Sequence, residues 1–219
     1  MTPSSAVIRS ARAREVVAAG RRLLEEEGPE ALTMRRLAER LGIRAPSLYK
    51  HLPDKAALEA AIIATGFEEA AAAFEAAVEG AADGGGQGAH GGAGGTASDG
   101  AGTGAGRALP ALAAGGTLPV LGAGGTLPAL AAAYRRFALA HPHLYRLMTN
   151  GPLPREHLPP GLEDRTAAPV LRAAGSQARA RAVWAFAHGM VMLELDHRFP
   201  ADADLDAAWR AGIAAFQPG

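Results

Sequence analysis

A chain of 219 residues with 48% hydrophobic residues can bury one core or two small ones, although only 5% aromatics leaves much of that apolar content to alanine. Cysteine is absent, which excludes a disulfide frame, a thiolate nucleophile and cysteine-ligated zinc, and fits a cytoplasmic setting. The formal charge is zero overall but uneven: residues 1–60 hold 11 Lys and Arg against 8 Asp and Glu, a basic balance compatible with a phosphate-facing module.

Residues 1–7 read as a loose tail, and charges recurring through Arg9–Arg22 leave no secretory apolar region. Ile8–Glu27 is predicted helical, with Val16, Gly20, Leu23 and Leu24 on one side and Gly28-Pro29 as the stop. Thr33 is the N-cap of a helix Met34–Leu41, without the acidic residue a capping box needs, because Arg36 holds that position. Gly42 sits where a helix ends in a left-handed residue. Pro46 suits the first turn of a short helix beginning at Ala45 and running about six residues, with Ser47, Lys50 and His51 on its polar side. Asp54 caps a long helix from Lys55 to about Glu79.

Gly80–Thr126 holds 18 of the 28 glycines, too little apolar surface to offset the entropy of ordering, and reads as a flexible linker. AGGTLP recurs at Ala114–Pro119 and Ala123–Pro128, too short for a solenoid unit. The literal GxGxxG at Gly86–Gly91 follows no strand and opens no convincing helix, so it fails the context a dinucleotide site demands. Beyond it, helices are expected at Ala129–Ala140, from Pro142 through Met148, at Arg165–Ala173 and Gln177–Arg198, with Gly151–Gly161 an extended loop. Asp204 caps a last helix with Leu205, Trp209, Gly212 and Phe216 inward. No segment alternates at period two, so the fold class is all-α.

A short exposed helix propped by a partner helix is what reading a major groove requires. Thr33 caps a helix whose N-terminus can meet a phosphate. Arg44 can donate in bidentate fashion to guanine or pair with a phosphate, Ala45 can touch a thymine methyl, and Ser47 can bond a base edge or phosphate. Leu37, Leu41, Ile43, Leu48 and Leu52 belong to the core. Catalysis finds no support: there is no GxSxG, GxxxxGK[ST] or HExxH, and the protein is expected not to be an enzyme. No Asp, Glu and His cluster has a ligand spacing, so neither metal nor cofactor is expected.

This segment resembles the DNA-binding head of the tetracycline-repressor (TetR) family through Gly28, Leu32-Thr33, Leu37-Ala38, Leu41-Gly42-Ile43, Pro46-Ser47-Leu48-Tyr49, His51, Lys55 and Leu58. Leu52 stands where the family more often has phenylalanine. The second half resembles a subgroup of the family's regulatory domains through Trp184, His188-Gly189 and the run His141-Pro142 to Met148. The resemblance implies that Tyr49, Lys50, His51 and Lys55 also face DNA. It implies a homodimer on a palindromic double-stranded operator, formed by the last two helices, with Val191, Leu195, Leu205, Trp209 and Phe216 as interface candidates. Tyr134, Phe137, Tyr145, Met148, Trp184, His188 and Met192 are candidates to enclose a small, apolar effector, although core packing accounts for any one of them equally.

The expected organisation is therefore a helix-turn-helix head at 1–54, a connecting helix at 55–79, a linker at 80–126 and a regulatory and dimerisation domain at 127–219. The expected function is a ligand-responsive transcriptional regulator, most often a repressor, with no run of apolar residues long enough for a membrane helix. The alternative is a helical small-molecule-binding protein whose head is a protein-interaction module.

Overall fold

The computed structural model describes residues 10–84 and 126–217. The tail at 1–7, the GxGxxG at Gly86–Gly91 and most of the expected linker lie outside them. The described residues form helices and two short 3-10 turns, without strands.

The head is built on local signals. Helix α1 (Ala11–Glu27) follows the N-cap Ser10, whose hydroxyl accepts the Ala13 N–H, and ends at Gly28 with φ 85°; the expected start at Ile8 lies outside the described residues. Helix α2 (Met34–Leu41) is capped by Thr33 accepting the Arg36 N–H and closed by Gly42 at φ 64°, a left-handed turn that glycine adopts without cost. Helix α3 (Ala45–Leu48) is shorter than expected. Its continuation, Tyr49–Leu52, folds back as a turn in which the His51 and Leu52 amides both donate to the Leu48 carbonyl. Pro53 follows and disfavours helical geometry at Leu52.

Helix α4 (Lys55–Gly84) runs past the expected end near Glu79. A lone Gly80 costs a helix about 1 kcal/mol, and the contact of Ala77 and Val78 with buried Phe74, Leu130 and Ala133 offsets it. The body comprises α5 (Thr126–Ala140), α6 (Pro142–Thr149), α7 (Leu162–Ala174), α8 (Gln177–Leu195) and α9 (Leu205–Ala214). Helix α7 begins three residues earlier than expected and carries Pro169 inside it. The expected loop before α7 contains a 3-10 turn at Arg155–His157. Helix α8 stops at Leu195 rather than Arg198, because His197 takes a positive φ of 50°.

Two large apolar clusters organise the chain. One joins α1, α2, α3 and the start of α4 through Val16, Leu23, Leu37, Leu48, Leu52, Leu58 and Ile62, and Leu144 of α6 enters it from the body. The other lies within the body around Tyr145, Val183, Ala187, Val191, Trp209 and Ile213. Consecutive residues of α6 therefore belong to different cores.

Candidate nucleic-acid interface and the body behind it

The rim of α3 carries unpaired charge. Leu48 is fully buried and anchors the helix, which turns the opposite side outward. Arg44, the N-cap of α3, is exposed, and so are Lys50 and Tyr49, the latter 52% exposed. Neither Arg44 nor Lys50 has an acidic partner among the described residues. Ser47 and His51 are half-buried, and Ala45 packs partly against the head core. Thr33 is exposed at the start of α2. Lys55 is exposed but leans on Glu59 at 3.3 Å, one turn along α4.

Five other head arginines are engaged. Arg12 meets Glu15 at 2.8 Å, and Arg21 forms a fork with Glu69 at 2.9 and 3.0 Å. Arg36 donates through Nε and Nη2 to Glu27 Oε2 at 3.0 and 2.9 Å. Arg40 bridges Glu26 and Glu27. Arg35, on the first turn of α2, has a side chain 90% exposed and bonds only Glu39, at 3.1 Å. Sequence reasoning passed over Arg35. Its position two residues after the Thr33 cap was the available signal, since that turn of a helix-turn-helix crosses the DNA backbone.

The seven body residues expected to enclose a pocket are distributed over both apolar clusters and the surface beside them. Tyr134, Tyr145 and His188 form a hydrogen-bonded row: the two hydroxyls are 2.7 Å apart, and Tyr145 Oη lies 2.7 Å from His188 Nδ1. Burial pushes the Tyr134 phenol up to about 12, and burial pushes Tyr145 up as well. Burial also holds His188 below its ordinary value, which favours the neutral ring, and its Nδ1 shares one proton with the Tyr145 hydroxyl. Trp184 stacks on His188 with centroids 5.6 Å apart, yet is 54% exposed. Phe137 packs between both cores, and Met192 is part of the body packing. Met148 belongs to the head side, with its sulfur 2.5 Å from where a Cβ on Gly66 would sit.

Two interface candidates require correction. Val191 and Trp209 are each 0% exposed within the single chain and have no surface to offer a second copy. The stripe Trp184–His188–Val191–Leu195 crosses from surface to core, and spacing alone did not say which end faced inward. Leu195, Leu205 and Phe216 are half-buried.

An unpaired cationic rim on a short helix, held outward by a tri-helical core and backed by a helical body, defines the class of helix-turn-helix regulators. Residues 16–62 match the family model described as bacterial regulatory proteins, tetR family, and residues 127–216 match the tetracyclin repressor-like C-terminal domain. The chain belongs to the TetR family.

Over 43 residues it is 54% identical to the class G tetracycline repressor protein of Vibrio anguillarum, a match spanning 20% of this chain and 20% of that relative. A protein of unknown function from Rhodococcus sp. RHA1 shares the fold at TM-score 0.63 and 24% identity, over 95% of this chain and 94% of that one. A single-substitution TetR variant of Acinetobacter baumannii AYE, solved in complex with minocycline, shares it at TM-score 0.53 and 22% identity, over 92% and 91% of the two chains.

Proposed function

We propose that this protein is a ligand-responsive transcriptional regulator, working as a repressor in the cytoplasm, that binds a palindromic DNA operator as a homodimer. The observation that carries the reading is the unpaired Arg44 and Lys50 flanking Tyr49 on the exposed edge of α3, while neighbouring arginines are already engaged. Free cations on a groove-sized helix suit phosphate and guanine edges. Two heads on one two-fold axis call for half-sites about 34–36 Å apart. Thr33, Ser47, His51 and Lys55 complete the contact surface.

For the dimer, the outward side of α8 offers Ala178, Ala182, Ala185, Gly189 and Leu193 at helical spacing, and α9 adds Ala208 and Ala211. Small residues let two helix pairs approach closely, and Leu193, 42% exposed, gains cover by it.

Response to a ligand needs a path from body to head, and α6 supplies one. Leu144 is buried in the head core, its N–H donates to Glu25 Oε1 of α1 at 3.1 Å, and the next residue, Tyr145, bonds His188 in the body. A small, mainly apolar effector that takes over the Tyr145 or His188 hydrogen bond would bind one position of α6 better than the other, and only such a difference shifts the equilibrium. The deciding experiment is in vitro selection of bound duplexes from a random pool, followed by salt-dependent anisotropy. Absence of an enriched palindrome, or binding indifferent to salt, would refute the reading.

A further inference from the structure

The acidic end of α1 faces the basic side of α2. Glu27 Oε2 accepts two bonds from Arg36, at 3.0 and 2.9 Å, while its Oε1 takes Arg40 Nη1 at 3.3 Å, and Glu26 holds the other arm of Arg40. Glu39 adds a looser contact to Arg36 at 3.7 Å. Arg36 stands on the same first turn as Thr33 and Arg35, yet Arg35 is 90% exposed and bonds only Glu39, while Arg36 is held by Glu27. The clamp is half-exposed, with Arg36 and Glu27 side chains at 52% and 32% exposure. Ion pairs this wet contribute about 0–1 kcal/mol to stability, which is a weak reason for holding three carboxylates against two arginines.

We propose that Glu26 and Glu27 withhold Arg36 and Arg40 from DNA phosphates, lowering the head's affinity for duplexes of any sequence, operator included, and so setting the overall strength and salt dependence of binding. The inference rests on the reading of the head as a DNA-binding module. Affinity for random duplex follows the number of phosphates neutralised, with a salt slope near −0.9 per contact. Base-edge contacts from the α3 rim do not depend on that number. A cation held on a carboxylate thus removes affinity from every sequence equally and leaves the operator-to-random ratio as the base contacts set it, while weakening the protein's hold on DNA of any kind.

The test measures binding of the full chain to a random duplex and to a selected operator duplex, by anisotropy between about 50 and 200 mM salt. Glu27→Gln is expected to steepen the salt slope by about 0.9 for random and operator duplexes alike, to raise both affinities about tenfold at low salt and to leave the operator-to-random ratio unchanged. Arg36→Gln is expected to leave the slope where it is in the unmodified protein, because its charge is already paired with Glu27. An unchanged slope in Glu27→Gln would overturn the proposal, as would a slope shallower by about 0.9 in Arg36→Gln. If Glu27→Gln fails to fold by circular dichroism, the Arg36→Gln arm still decides. An unmodified protein that shows no salt-dependent duplex binding would instead refute the DNA reading itself.

Discussion

Arg135 and Glu194 meet at 3.0 Å where both side chains have left solvent, 10% and 6% exposed. Arg135 also donates to Asp206 at 2.5 Å and lies 5.6 Å from the centre of the Trp209 ring, whose indole N–H donates to Glu194. One arginine of α5 thus ties α8 to α9. Removing one partner of such a pair leaves an uncompensated buried charge, so Arg135→Met should cost about 3 kcal/mol in urea denaturation. The double change Arg135→Met with Glu194→Leu should recover part of that loss. A single variant as stable as the parent would show that the network contributes nothing.

The head was legible because its determinants are local. Thr33, Gly42, Pro46 and Asp54 act within a turn of where they stand, and the structure caps or breaks the chain at each. The body was less so. Its strongest stripe identified one side of α8 but not which neighbour covers it, which is why Val191 and Trp209 were placed at a subunit surface and are found in the subunit core. Contacts between distant segments left no trace in periodicity. Glu25 reaches the Leu144 amide across 119 positions, and Glu27 reaches Arg36 between two helices. The four-residue α3 shows the same limit in reverse, since Pro53 and the return of Leu52 to the core end a helix whose polar pattern continues.

Arg44 has no carboxylate to leave before it meets DNA. Arg44→Ala should therefore weaken operator binding by about 1–3 kcal/mol and relax preference at one base pair, with the melting curve unmoved. Lys50→Ala should weaken all duplexes alike and flatten the salt slope by about 0.9. Competition anisotropy against single-base operator variants separates the two. Equal losses on every sequence for Arg44→Ala would assign it to phosphate rather than base.

Leu193 and Trp209 should respond in opposite ways to substitution. Leu193 is 42% exposed on the outward side of α8, so Leu193→Glu should place a charge between apposed copies and shift the mass in sedimentation toward monomer while the subunit stays folded. Trp209 is 0% exposed, and Trp209→Ala should cost about 3–5 kcal/mol by opening a cavity under Phe186 and Arg135. Its damage is to folding, not to assembly alone. A Leu193→Glu protein that remains dimeric at nanomolar concentration would move the interface elsewhere.

His188 and His141 both have native values held below 6.5, each by burial first, with Arg21 adding to the effect on His141 against the opposing carboxylates Glu69 and Glu25. A ring that protonates less readily when folded binds fewer protons in the native state than in the unfolded one. Stability then rises with pH across that interval; the contribution is complete above 6.5 and is lost as pH falls through the native values. Burial is the cause at His188, and a charged ring would also be confined to donating from Nδ1 toward the Tyr145 hydroxyl 2.7 Å away. Denaturation midpoints taken from about pH 8 down to about pH 5 should therefore fall on the acid side, and His188→Gln, whose amide oxygen can accept the same bond without titrating, should flatten the fall but not abolish it because His141 remains. An acid limb unchanged in His188→Gln would show that Tyr145 does not depend on that nitrogen.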